Sequence, residues 1–156
     1  MVYSLMKLSH VLAIVLWIGG MAFVHFFLRP ATMQLEPPER IRLLHAALRR
    51  FLNTMVPAVV VVLASGMGMM HWAFSASRSV GFDFPMPMDW SIMTALGLLM
   101  MLVFIHVRFV LFRQLSRSVN DGNWPDGANA LGAIRRWVVF NLAMGVVIIG
   151  VAILIT

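Results

Sequence analysis

Apolar residues in this chain fall in four long runs, at about residues 4–28, 54–74, 90–112 and 137–155, separated by short polar stretches. Each run approaches the roughly 20 residues needed to cross about 30 Å of hydrocarbon. A backbone in lipid must satisfy its own hydrogen bonds, so each run is predicted to be a helix. The pattern predicts an all-α chain: an integral membrane four-helix bundle forming a single domain over residues 1–156. The first run is longer than a signal-peptide core and continues into Arg29-Pro30, so it is expected to be a retained span. Between spans 1 and 2, Pro37-Pro38-Glu39 suits the first turn of a further helix. Ile41, Leu44, Leu48 and Phe51 follow at helical spacing, with Arg40, Arg42, Arg49 and Arg50 elsewhere on the wheel. This segment is expected to be a cytoplasmic amphipathic helix lying on the membrane surface, in contact with anionic lipid or a partner. A solvated connector helix fits the same spacing. Asp121–Gly127 has turn chemistry.

Composition agrees with the pattern. Hydrophobic residues make up 61% and charged residues 12% of the chain, against about 45–50% and 25% in soluble domains. The net charge of +6 is confined largely to the loops, so it signals topology and not nucleic acid. Arg29, Arg40, Arg42, Arg49 and Arg50 flank the first loop, and Arg113, Arg117, Arg135 and Arg136 the third. Lys7 and Arg78 are the basic residues flanking the other side. The positive-inside rule makes loops one and three cytoplasmic and puts both termini outside. Tyr3, Trp72 and Trp90 then fall at the outer interface, Trp124 and Trp137 at the inner. There is no cysteine, so any metal must use His, Met, carboxylate or backbone.

Polar side chains within the spans are few: Lys7, His10, His25, His71, His106, Arg108 and Asn141. Such groups mark function or interhelical pairing. The span directions sort the histidines into an outer pair, His10 with His71, and an inner pair, His25 with His106. His10 and His25 are separated by about 22 Å of helix rise, the two-level layout of di-haem membrane cytochromes. Lys7 shares a face with His10, placed either to meet a haem propionate or to snorkel to the surface. Arg108 is near enough to the inner exit to snorkel; Asn141 is expected to bond a neighbouring helix.

Methionine is the second signal. Met67, Met70 and His71 share a helix face, and Met86 and Met88 flank Pro87 in the outer loop. Thioether and imidazole suit Cu(I); methionine also fills apolar gaps without further role. The outer copper site is therefore expected among His10, His71, Met67, Met70, Met86 and Met88. The same histidines also suit b-type haem. No nucleophile with a partnered base, no intramembrane carboxylate and no phosphate-cradling glycine loop is present. An enzyme is not the expected reading; if the chain is one, it is a haem-dependent oxidoreductase.

Several motifs carry a resemblance. Lys7-Leu8-Ser9-His10, Leu16-Trp17-Ile18-Gly19-Gly20, Leu28-Arg29-Pro30-Ala31, Arg49-Arg50-Phe51 and His106-Val107-Arg108-Phe109 occur in order, followed by Gly122-Asn123-Trp124-Pro125, Ile134-Arg135-Arg136 and Asn141-Leu142-Ala143-Met144-Gly145. Together they resemble the compact members of the copper-resistance D (CopD) family. That resemblance implies copper handling at the bacterial inner membrane, with copper bound on the periplasmic side and passed across. A more distant likeness to HemJ-type protoporphyrinogen oxidases implies b-type haem, with His10 and His106 as ligands, and electron transfer or porphyrin or quinol oxidation. Expected partners are membrane lipid, copper or haem, and a second copy or a larger membrane complex.

Overall fold

The computed structural model describes residues 1–79, 81 and 86–154. Asp83 and Pro85 of the outer loop and Ile155 at the end of span 4 lie outside these. Four helices carry the described chain: α1 (Val2–Gln34), α2 (Pro37–Ser79), α3 (Met88–Asn120) and α4 (Trp124–Leu154). All four are long and apolar enough to cross a membrane. Large apolar side chains such as Leu5, Leu12, Val60, Leu102 and Val146 stand exposed around the outside. In water such a surface would aggregate; in a bilayer it is the lipid contact.

The helices exceed the apolar runs. At 43 residues, α2 is about 64 Å long, twice the hydrocarbon thickness. Residues 37–53 are therefore not a separate surface helix. They are the first part of α2, and Ile41, Leu44 and Leu48 are buried against the bundle. Hydropathy changes at residue 54 but the backbone meets no breaker there. Pro57 lies within the helix, and its missing N–H frees the Asn53 carbonyl.

The tight connection between α3 and α4 follows from the Gly-Asn-Trp-Pro motif. Gly122 adopts a positive φ of 66°, and the Asn123 amide returns to the Ser118 carbonyl at 2.9 Å, a glycine-terminated helix end. Asn123 then caps α4. Its Oδ1 accepts from the Asp126 amide at 3.2 Å, and its Nδ2 donates to the Asp126 carboxylate at 2.7 Å.

The buried core runs from the centre of the bundle toward this arginine-rich end. It includes Trp17, Met21, Ile41, Leu52, Met55, Phe104, Leu111, Leu115 and Ile134. Toward the methionine-rich end, α2 buries no described residue beyond Ser65 and α4 none beyond Gly145.

Candidate functional site

At the methionine-rich end α1 and α2 approach closely because α2 offers glycine there. A Cβ on Gly66 would sit 3.4 Å from the His10 ring, and one on Gly68 would sit 2.7 Å from the Met6 sulfur. Tyr3 and Trp72 close the contact, with ring centroids 4.9 Å apart. Tyr3, Met6 and His10 thus form the face that α1 presents to α2.

His10 is held by its Nδ1, which lies 3.0 Å from the Val62 carbonyl and 2.9 Å from Ser65 Oγ. A carbonyl can only accept, so Nδ1 carries the proton. Ser65 donates its own hydroxyl proton to the Val61 and Val62 carbonyls, which leaves its oxygen to accept from His10. Nε2 therefore keeps its lone pair. This is the arrangement by which outer hydrogen bonds prepare a histidine for a metal.

The other residues expected at this site differ from His10 in exposure. His71 is exposed, five residues beyond Gly66 and thus about 7–8 Å further along the helix axis than the level of His10. Met67 is 66% exposed, Met86 42% and Met88 78%; Met70 is half-buried and Lys7 exposed. Among the described residues no group of three or more His, Asp or Glu is arranged to hold a metal. Met6 and Ser65 were absent from the sequence reading. Gly66 and Gly68 were the signal for them, because a glycine pair marks where the partner helix comes closest.

His25 and His106 meet different neighbours near the arginine-rich end. His25 lies in a π-helical turn, Val24–Leu28, and lines a cavity beside Val138 and Val139. His106 packs edge-on to Trp137 at 5.3 Å. A second π-helical turn, Val107–Leu111, carries Arg108, whose guanidinium donates to Asn53 Oδ1 at 2.9 Å. Arg108 is thus tied to α2, with Nε buried and without a partner in the described structure. Asn141 is buried as expected, but its Nδ2 reaches only the Met21 sulfur, at 3.8 Å, and its Oδ1 is unpartnered among the described residues. Met21, Met55, Met100 and Met144 are buried in the core, Met21 beside this amide.

Helices with lipid-facing sides, thioethers at one end and arginines at the other define a multi-pass membrane protein. Residues 45–155 match the family model for copper resistance protein D, and the chain belongs to that family. The match includes His71, His106 and Asn141; His10 and Met6 precede it. No curated protein and no solved structure matches the chain.

Proposed function

We propose that this protein accepts copper as Cu(I) at its methionine-rich end, facing the periplasm of a bacterial inner membrane, and passes it inward. Copper is the cargo in this reading. The observation that carries it is His10: its Nδ1–H is committed to Val62 and Ser65, its Nε2 is free to bind, and Met6 stands one helical turn away on the same face. His71, Met67, Met70, Met86 and Met88 then serve as exposed donors that collect the ion, with His10 and Met6 as the deeper station. Inward of these, Met21, Met55, Met100 and Met144 are soft donors in the core, Met21 beside Asn141, whose carbonyl oxygen has no partner among the described residues. Carboxylates are few and would favour harder ions. Both termini are periplasmic in this reading; a C-terminal reporter active only in the cytoplasm overturns that orientation.

The test is Cu(I) titration of the purified protein against a coloured chelator, with its absorption spectrum recorded. His10→Ala, checked for folding, is expected to weaken binding by at least about tenfold, and Met6→Leu to weaken it less. Full copper retention by both variants refutes the site. A Soret band in the protein as purified would replace copper by haem.

A further inference from the structure

A cavity of about 670 Å³ lies at the arginine-rich end between the exit of α1, the first turns of α2 and the start of the apolar run of α4. Arg29 of α1, Arg40 of α2, and Arg135 and Arg136 of α4 line it, and no carboxylate does. Arg29 lies within the positive field of both Arg135 and Arg40. The hydrogen bond that Arg40 makes is to a thioether, Met33 Sδ at 4.0 Å. Four cations gathered from three helices with no carboxylate in the cavity lining repel one another, and an anion in their midst reverses the sign of that interaction.

Apart from His25, the rest of the wall is apolar. Val24, Leu44, Leu131 and Val138 line the same cavity. Val24 and Val138 belong to the apolar runs of spans 1 and 4, whereas Arg29, Arg135 and Arg136 stand just beyond those runs. The cavity therefore straddles the boundary between hydrocarbon and headgroups. Its volume lies within the roughly 300–1,000 Å³ of small-ligand sites. A free anion would use the arginines and leave the apolar wall in water; an anionic amphiphile uses both.

We propose that this cavity binds the phosphate headgroup of an anionic phospholipid, with the start of an acyl chain laid along Val24, Leu131 and Val138. Guanidinium groups suit phosphate because their paired N–H groups match two of its oxygens. Basic pockets between helices on the positive side of a membrane protein are apt for such lipids. The site makes no use of the methionine-rich end, so it stands or falls separately from copper binding.

The test is native mass spectrometry of the full chain released from bilayers mixing phosphatidylglycerol and phosphatidylcholine. Wild type is expected to retain phosphatidylglycerol selectively. Arg29→Gln with Arg135→Gln should cut the retained fraction by about tenfold. Gly132→Leu should also reduce it with every charge intact, because Gly132 lines the cavity and a Cβ there meets nothing within 4 Å. Arg49→Gln with Arg50→Gln removes the same charge outside the cavity and should leave retention unchanged. Equal retention of the two lipids, or equal losses in the two double variants, overturns the proposal. So does full displacement of the lipid by millimolar inorganic phosphate, which would assign the cavity to a soluble anion.

Discussion

The two ends of the bundle are built differently. At the arginine-rich end the helices run on past the apolar stretches, and the α3–α4 turn is closed by a glycine and a capped asparagine. Side chains such as Ile41 and Leu115 there are fully enclosed. At the methionine-rich end the close contact between α1 and α2 stands among side chains that are mostly half-exposed or exposed. Enclosed packing and half-exposed soft donors thus lie at different ends. A packed core leaves no room for a ligand, whereas a metal taken from outside must reach donors that still have a free lone pair. His10 is ordered by Ser65 and Val62 yet remains half-exposed, a combination that neither the enclosed core nor the exposed His71 offers.

The largest effects should appear when the two ends are truncated in parallel. Leu115→Ala removes a side chain with 0% exposure and should lower stability by about 2–5 kcal/mol. Met88→Ala, 78% exposed at the other end, should change it by less than about 0.5 kcal/mol. Thermal unfolding in detergent reads both; equal losses would mean that the methionine-rich end is packed like the core.

Next in size is Ser65→Ala. It leaves His10 in place but removes the oxygen that accepts from its Nδ1. Copper affinity should fall about 10- to 100-fold, while the unfolding midpoint moves little because Val62 still accepts. Unchanged affinity would show that the Ser65 contact only packs the two helices. Asn141→Leu probes the region between the ends. Its one bond is to a thioether and its Oδ1 is orphaned, so replacement by an apolar side chain should leave stability unchanged or raise it. Copper passage into proteoliposomes should slow, if the amide oxygen handles the ion. A large loss of stability would reveal a bond that the structure does not contain.

Sequence made the four spans legible because the apolar runs have the length that hydrocarbon demands. Of the turn expected over Asp121–Gly127, Asp121-Gly122-Asn123 form the connection, while Trp124 to Gly127 are already the first turn of α4, where proline is tolerated. The length of α2 was not legible. Hydropathy rises between Asn53 and Thr54, yet the helix continues through that change and past Pro57, and its stripe of Ile41, Leu44 and Leu48 found a packing partner in the bundle instead of lipid. At the candidate site, His10 stood out as a polar group in an apolar run. Met6 did not, because one methionine among fourteen carries no positional signal until Gly68 sets the contact. The Arg108–Asn53 bond joins residues 55 apart on different helices, and no local pattern encodes that pairing.

The smallest expected effect concerns pH at the well-packed end. His45, in the part of α2 beyond the apolar run, donates from Nε2 to Ser116 Oγ at 2.9 Å. Ser116 in turn donates to the Phe112 carbonyl at 2.9 Å, which fixes its oxygen as the acceptor. The imidazole stacks on Phe112 with centroids 5.1 Å apart and planes 8° apart. Burial first, and the nearby Arg49 charge second, hold its pKa below the ordinary value of 6.5. The unfolded chain therefore binds a proton more readily than the folded one, so acid favours unfolding. The contribution of this histidine is fully present above about pH 6.5 and is lost as pH falls through that value toward the lower folded pKa. His45→Gln keeps a donor for Ser116 and removes the titration. The difference in unfolding midpoint between wild type and this variant should shrink or change sign between pH 7.5 and pH 5.5, both bracketing the ordinary histidine value of about 6.5. Parallel curves across that interval would mean that His45 takes up its proton as easily in the folded protein as in the unfolded chain.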